Sequence, residues 1–318
     1  MSATEHNYKA SRAPFLRSSD TTKSIMMDMI VALCFPIAFA CYLYGVSVLW
    51  RVLFAGACCY IADFVANAMS RRKSVSAGMS SFVTGAILAL LLPANVSYYI
   101  LLSGSLFAIL VAKEVFGGIG NNIFNPAAVG LAFVTVIYSD TIFWYPQPFV
   151  VEETLTRSLT YTLKFGGIPS VSFMDMLVGN YCGPMGATNT IIITCCFVFL
   201  ALRRTVSSRI PITFVATVGI IALLFPRVSC TPLESVAYEL GSGYILFAAV
   251  FMLTDPVTAP KHSLSKHLYG IIAGVLAMIF RHLGGYEQGV CFAILLTNAM
   301  SHSLDRFTLY LKTRRLTV

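Results

Sequence analysis

A series of apolar segments runs along nearly the whole chain and limits what it can fold into. Seven of them are long enough, or nearly long enough, to cross a bilayer as helices; they cover residues 26–48, 50–69, 97–113, 190–203, 211–226, 266–280 and 288–304. Of the 318 residues, 57% are hydrophobic and 11% are charged, a balance that water-soluble domains of this length do not show. We therefore predict an all-α polytopic membrane protein.

Three further apolar segments are short or are interrupted by proline. "SFVTGAILALLLP" ends at Pro93, "NPAAVGLAFVTVIY" opens on Asn125 and a proline, and "GYILFAAVFMLTDP" ends on Asp255 and a proline. Such breaks are typical of discontinuous helices, which a membrane protein tolerates only where they line its interior. With these three, the chain is predicted to have about ten transmembrane segments.

The distribution of basic residues predicts the orientation of these segments. In a ten-span chain, 17 of the 22 lysines and arginines, Lys113 among them, fall on the same side as the two termini. The other five are Arg51, Arg157, Lys164, Arg227 and Arg281. Because lysine and arginine concentrate in cytoplasmic loops, both termini are predicted to be cytoplasmic.

The two halves of the chain repeat the same order of segments at an offset of roughly 160–170 residues. Each half, 26–139 and 189–310, has a helix pair, a short segment that ends in proline, another span and a segment with an asparagine. Five spans per half is an odd number, so the repeats are predicted to be inverted, with a substrate or cofactor site between them near the broken helices. The remaining parts are cytoplasmic tails at 1–25 and 311–318, and an extracytoplasmic loop at 140–188 whose aromatic residues indicate an ordered cap.

The charge and the cysteines argue against two other classes of site. The net charge of +8 is spread in short clusters between apolar segments, which is typical of topology signals and not of a nucleic-acid surface. The nine cysteines include adjacent pairs but no CxxC spacing, so no metal site is predicted. Any iron–sulfur cluster that the function requires is expected on partner subunits.

The stretch "GPMGATNTIIIT", residues 183–194, places a turn of small residues and two threonines directly before an apolar helix. One interpretation, the more common for such a pattern, is that Thr188 is the N-cap or N′ residue of this helix and that its oxygen accepts a hydrogen bond from a free backbone amide. The other is that Thr188 is an exposed acceptor hydroxyl for a phosphate-linked group, beside a helix start that favours anions. The residues alone leave both open.

Acidic residues inside the spans are costly in a bilayer and therefore mark candidate sites. Asp63 lies on the second helix, about two turns before "RRK", and Asp255 lies at the broken end "TDPVT". For both, a place in an ion pathway or cofactor pocket competes with a structural hydrogen bond or helix cap. Asp305, next to Arg306, is interpreted as a partner of nearby basic residues at the membrane surface.

Five motifs in order, "SFVTGAILALLLP", "GNNIFNPAAVG", "MGATNT", "RRTVSSRIP" and "FMLTDPVTAP", resemble the flavin-binding membrane subunits of the Rnf and Na+-NQR complexes. The resemblance covers residues 25–310. In that family FMN is joined through its phosphate to the threonine of a Ser-Gly-Ala-Thr motif by a flavin transferase. The resemblance therefore implies covalent FMN at Thr188, with Gly186 and Ala187 completing the motif. Met185 departs from the pattern, because it stands where the family often has serine.

The resemblance also implies a second flavin, a non-covalent riboflavin in the membrane part. Asn125 and Asn298 occupy corresponding positions in the two predicted repeats. Their amides are candidates to hydrogen-bond the riboflavin ring or, alternatively, to satisfy unwound backbone.

The short polar segment before the first span favours the Rnf D branch over the Na+-NQR branch, whose subunit has a longer N-terminal extension. The resemblance implies a subunit, not catalytic alone, of a bacterial cytoplasmic-membrane translocase that relays electrons between reduced ferredoxin and NAD+ and exports Na+ or H+. The implied partners are a ferredoxin-accepting iron–sulfur subunit, an NADH-binding subunit, a second covalent-FMN subunit and two small membrane subunits. Membrane lipid surrounds the chain, and no nucleic acid is expected.

Two alternatives remain open at this point. One is a B-type subunit of Na+-NQR, which uses quinone. The other is a stand-alone channel or transporter for a small solute, because inverted five-helix repeats with broken helices also serve that purpose and fold alone does not decide function.

Overall fold

The computed structural model describes residues 22–70, 77–118, 120–150 and 154–316. Its first half consists of five helices, and a π-helical turn, Leu110–Glu114, extends the fourth. The helices are α1 (Thr22–Tyr44), α2 (Ser47–Met69), α3 (Ala77–Leu90), α4 (Tyr98–Ile109) and α5 (Pro126–Ile137). The predicted N-terminal tail lies outside the described residues except for 22–25, which belong to α1.

The segment between the halves folds into short elements. They are α6 (Ser139–Ile142), β1 (Tyr145–Pro146), β2 (Leu155–Thr156), α7 (Leu159–Lys164) and α8 (Phe173–Val178). The two strands pair antiparallel, with Tyr145 opposite Thr156. This two-residue ladder is a small departure from the all-α fold class, because backbone groups that leave the helices also need partners and here find them in each other.

The second half contains six helices. They are α9 (Thr190–Leu202), α10 (Arg209–Leu224), α11 (Pro232–Gly241), α12 (Ile245–Phe251), α13 (Ser263–Leu283) and α14 (Val290–Leu316). The short α11 begins with a capping box, in which Thr231 and Glu234 satisfy each other's backbone amides. The predicted C-terminal tail overlaps the end of α14, which runs to Leu316.

Each of the ten predicted apolar segments contains a helix, and the described chain is mostly helical. By length and composition, three helices in the described residues are able to cross a membrane, namely α1, α2 and α13. Shorter apolar helices, among them α3, α5, α9 and α10, accompany them. This arrangement agrees with a polytopic membrane protein.

The broken helices meet in the interior of the protein. Buried apolar side chains of both halves form one continuous core, to which α3, α5 and α12 contribute. The helix α5 starts there because Asn125 caps it and Pro126 occupies its first turn. Among the longer helices, α13 packs closely on α10, since a Cβ on Gly274 would lie 2.8 Å from Cβ of Thr217. The end of α3, the start of α5 and the end of α12 are all buried.

Candidate functional site

The segment that carries the Gly-Ala-Thr motif leads directly into α9, and the helix cap is Asn189. The Asn189 side-chain oxygen accepts a hydrogen bond from the amide of Ile192 at 2.7 Å, and its amide group donates to the carbonyl of Val178 at 2.5 Å. Thr188 therefore occupies the N′ position, and the expectation that its oxygen satisfies a helix amide was wrong, because the side chain of Asn189 already does so. Thr188 is one position outside the helix, and its oxygen is not used for capping.

The hydroxyl of Thr188 is buried and has no hydrogen-bond partner among the residues that the structure describes. Only 1% of the residue is exposed, so the expectation of an exposed hydroxyl was wrong. Two glycines explain the burial, because they allow backbone to pack against this residue. A Cβ on Gly183 would lie 2.9 Å from the Thr188 methyl group, and one on Gly179, whose φ is +85°, would lie 2.9 Å from the Thr188 carbonyl carbon. A buried hydroxyl without a partner costs free energy and requires an explanation.

The preceding residues are fastened to the broken end of α3. The amide of Gly186 donates to the carbonyl of Leu90 at 2.8 Å, and the amide of Met185 donates to that of Leu92 at 3.0 Å. A Cβ on Gly186 would lie 2.6 Å from Cβ of Leu90, so only glycine fits. Ala187 is buried as well. The motif thus joins the second half of the chain to the end of α3 in the first.

A groove of about 650 Å³ adjoins the start of α9. It lies between α8, α9 and α11, and Thr190 and Thr194 form part of its wall. Most of the remaining lining is apolar, with Phe173, Leu177 and Leu240 as examples. Its volume lies within the range of about 300–1,000 Å³ that small-molecule sites occupy.

A second cavity, of about 360 Å³, lies where the broken helices of the two halves meet. Its walls come from α1, α3 and α5, from the turn after α12 and from the connection between α9 and α10. The polar side chains in the wall include Lys113, Asn122, Asn125, Thr254 and Asp255. The sequence prediction of a site near the broken helices and the position of this cavity coincide.

Asn125 and Asn298 are brought into direct contact, but in different local settings. Asn125 caps α5, accepting from the amide of Ala128 at 3.1 Å, and donates to the carbonyl of Met252 at 2.9 Å. Asn298 lies within α14 and donates to the hydroxyl of Tyr269 at 2.6 Å. Both amides therefore hold backbone or side chains of the fold, and only Asn125 also lines the cavity.

Asp63 pairs with Lys113 inside the first half. Their charged atoms are 3.1 Å apart, and the side chains are 1% and 2% exposed. Lys113 also donates to the hydroxyl of Ser81 at 2.6 Å. Lys113 lies in the π-helical turn that extends α4, and the carboxylate of Asp63 on α2 neutralises it. Its place on the cytoplasmic side stays a prediction. The pair places an acidic and a basic group next to the cavity wall.

Asp255 and Asp305 act locally as backbone acceptors. Asp255 accepts from the amide of Val257 at 3.3 Å and from the hydroxyl of Thr258 at 3.2 Å, and its side chain lines the cavity. Asp305 accepts from the backbone amides of Lys261 and His262 at 2.9 and 3.2 Å. Asp305 therefore does have basic residues as partners, but it contacts their backbone amides and in this way holds the turn that precedes α13.

Two polar clusters were missed by the sequence analysis. Asp28 on α1 accepts from Arg203 at 3.0 Å and from the hydroxyl of Thr205 at 2.7 Å, which ties α1 to the end of α9. Its position in the apolar run "MMDMIV" is the same signal that identified Asp63. The second cluster pairs Glu239 with the buried Arg227 and Arg281. Only the fold reveals this cluster, because its members come from three different elements.

The chain was compared with known protein families and with curated proteins. The model of the NQR2, RnfD, RnfE family matches residues 9–312. The D-type subunit of the Na(+)-translocating ferredoxin:NAD(+) oxidoreductase complex of Acetobacterium woodii is 31% identical, over 96% of this chain and 94% of the relative. The D-type subunit of the proton-translocating ferredoxin:NAD(+) oxidoreductase complex of Clostridium ljungdahlii is 28% identical, over 95% and 94%. The D-type subunit of an ion-translocating oxidoreductase complex of Actinobacillus succinogenes is 26% identical, over 95% and 96%.

Proposed function

The chain belongs to the NQR2, RnfD, RnfE family, and from this premise we propose that it is the D-type subunit of an Rnf complex. In that role it relays electrons between reduced ferredoxin and NAD+ within a membrane complex and contributes to the export of Na+ or H+. The support is the similarity to the two named ferredoxin:NAD(+) oxidoreductase subunits over nearly the full length of both chains. The names of those relatives include one sodium and one proton translocator, so both ions stay within the proposal.

The proposed architecture is a ten-span chain with two inverted repeats and both termini in the cytoplasm. Its support is the presence of a helix in each predicted segment and the shortness of α3 and α12, which occupy corresponding places in the two halves. The two halves also meet at the broken ends, where Asn125 contacts Asn298. Such contact between halves is what an inverted-repeat membrane protein places around its central site.

FMN is proposed to be attached through its phosphate to Thr188, and a single observation carries this assignment. The Thr188 oxygen is buried without a hydrogen-bond partner, and Asn189 caps α9 in its place. An oxygen that no structural role occupies is free to form an ester. Gly186 and Ala187, which precede Thr188, have small side chains and leave room beside it. The groove next to α9 offers apolar surface for a ring system. When bound, the flavin supplies a reversible electron carrier, which side chains alone do not provide.

Burial of Thr188 places a condition on this attachment. A transferase needs access to the hydroxyl. The hydrogen bonds from Met185 and Gly186 to the end of α3 hold the segment in the position in which this hydroxyl is buried. We therefore expect the flavin to be joined while the segment is away from Leu90.

Non-covalent riboflavin is proposed for the cavity between the halves. The cavity of about 360 Å³ has amide and carboxylate groups in its wall, from Asn122, Asn125 and Asp255, and apolar residues elsewhere. A flavin ring presents hydrogen-bond donors and acceptors at one edge and an apolar face, so this lining fits it. Asn298 would act through Asn125, whose amide it holds.

Asp63 and Asp255 are proposed as members of the ion pathway. Asp255 lines the cavity, and Asp63 lies behind it, paired with the cavity residue Lys113. A carboxylate that shares its charge with a lysine can exchange partners with a passing cation, which is the use of intramembrane acids in many pumps.

In-gel flavin fluorescence of the denatured full chain, expressed with its flavin transferase, tests the proposed function. We expect a fluorescent band in the wild type, loss of the band in Thr188→Ala, and a band of unchanged intensity in the control Thr190→Ala. A band that survives Thr188→Ala would reject the attachment site. A wild-type chain without any band would instead favour the stand-alone transporter.

Co-purification separates the Rnf subunit from a Na+-NQR-type subunit that uses quinone. From native membranes, the Rnf assignment requires an iron–sulfur subunit that accepts electrons from ferredoxin. A complex that reduces quinone and lacks such a subunit would overturn it.

A further inference from the structure

Glu287 lies in the loop between α13 and α14 and is almost completely buried. The residue is 4% exposed. One carboxylate oxygen, Oε1, accepts a hydrogen bond from the hydroxyl of Ser158 at 2.9 Å, while Oε2 has no hydrogen-bond partner in the described part of the chain. Ser158 precedes α7, so this contact ties the 140–188 segment to the second half of the chain.

Glu287 differs from Asp63 and Glu239 because, within the described part of the chain, it forms no direct ion pair. Asp63 pairs with Lys113, and Glu239 pairs with Arg227 and Arg281. Across the described residues, no lysine, arginine or histidine nitrogen lies within 4.0 Å of Glu287. An isolated charge in such a place is very costly, and a carboxylate there takes up a proton in preference to remaining ionised.

The groups that face Glu287 do not remove this cost. Burial raises the pKa of Glu287 to about 7, even though Ser158, Arg157, Tyr145 and Gln288 favour the charged form. Lys164 on α7 adds a further positive charge nearby, and its ammonium group donates to the carbonyl of Gly285. Near pH 7 the carboxyl is therefore present in both its charged and its neutral form.

Other buried oxygens without partners lie close to the same loop. They include the hydroxyl of Thr160 and the side-chain oxygen of Gln288. These two atoms and a guanidinium nitrogen of Arg281 lie 3.1, 3.3 and 2.6 Å from the position that a Cβ on Gly243 would occupy. The loop itself reaches solvent, because Gly285 is exposed only two residues before the carboxyl. The carboxyl therefore lies in a loop with polar atoms around it and close in sequence to a solvent-exposed residue, so a proton can reach it from water.

We propose that the Glu287 carboxyl is a proton-binding site that exchanges a proton with the solution on the face that carries the 140–188 segment, at near-neutral pH. A proton from water adds to Oε2 and converts the carboxylate to the neutral acid, and the reverse step returns it to water. No electron transfer and no other reactant takes part. The site involves neither Thr188 nor the central cavity, so it stands independently of the proposed function.

Infrared difference spectroscopy of the purified full chain in detergent, recorded as a function of pH, tests the proposal. The wild type is expected to show a protonated-carboxyl band that disappears as pH rises, with a midpoint near 7, and Glu287→Gln is expected to lose that component. Glu234→Gln is the matched control, because it makes the same chemical change at an exposed carboxylate and should leave the component in place. An unchanged band in Glu287→Gln would overturn the proposal.

A second variant retains the carboxyl and covers the case in which Glu287→Gln does not fold. Arg157 favours the charged form of Glu287, so Arg157→Gln is expected to shift the midpoint to higher pH. A midpoint that stays fixed or moves down in Arg157→Gln would also contradict the proposal.

Discussion

The backbone amide of Asn125 donates a hydrogen bond to the side-chain oxygen of Asn298 at 2.9 Å, across 173 residues of sequence. The side chain of Asn125 also donates to the carbonyl of Met252, which follows α12, and the side chain of Asn298 donates to the hydroxyl of Tyr269 on α13. Four elements from both halves are thereby held at one buried point beside the central cavity. Buried polar networks of this kind are costly to break, because each lost partner leaves another group unsatisfied.

Replacing Asn298 by alanine should destabilise the protein by about 1–3 kcal/mol, because the buried amide of Asn125 loses its acceptor. The measurement is the midpoint of thermal unfolding in detergent. Asn121→Ala serves as the control, since the side chain of Asn121 is exposed and donates a long hydrogen bond, of 3.5 Å, to the carbonyl of Gly117. Equal midpoints for the two variants would contradict the prediction.

Replacing Gly186 by alanine should displace the motif segment from the end of α3. The new Cβ would lie 2.5 Å from a methyl carbon of Leu90 and 2.6 Å from its Cβ, closer than atoms in folded proteins approach. Limited proteolysis of the folded chain should then cut between residues 179 and 188 faster than in the wild type. Gly285→Ala is the control, because nothing lies within 4 Å of its added Cβ, and its cleavage pattern should be unchanged.

Replacing Lys113 by methionine should cost about 3–5 kcal/mol, because Asp63 then remains buried and charged without its partner. Most of this loss should be recovered in the double variant Lys113→Met with Asp63→Asn, which removes both charges. A double-mutant cycle on unfolding midpoints measures the coupling. If the double variant is as unstable as Lys113→Met alone, the cost does not come from the uncompensated carboxylate.

The pKa of Glu287 predicts that stability falls as pH rises. Its usual value is 4.5 and the folded value is about 7, so between these pH values the folded state keeps a proton that the unfolded chain has released. The favourable contribution is complete below pH 4.5 and is lost as pH approaches 7. In unfolding experiments from pH 5 to 8, Glu287→Gln should flatten this part of the profile. A variant profile parallel to the wild type would show that another group causes the dependence.

Much of the fold could be predicted from the sequence, because burial in a bilayer leaves a strong local signal. Apolar runs marked the helices, and Pro93, Asn125 and Asp255 marked the places where they break. The same reasoning pointed to the region in which the central cavity lies. These features depend on residues that are neighbours in sequence, because each segment in a bilayer must satisfy its own backbone polar groups.

The contacts between distant segments could not be predicted. Nothing in the run around Lys113 indicates that it turns inward to Asp63, and nothing near Glu287 indicates that Ser158 will cover it. The role of Thr188 also depended on its neighbour, because either Thr188 or Asn189 can cap a helix and only the backbone geometry selects Asn189. Long-range pairing and the choice between adjacent caps are decided by packing, which one sequence does not display.

The cap on α9 has a consequence for the order of events during biosynthesis. Asn189 secures the helix start whether or not Thr188 carries a substituent. If FMN is joined to Thr188 as proposed, α9 can therefore form before the transferase acts. In a cell that lacks the transferase, the start of α9 should be unchanged.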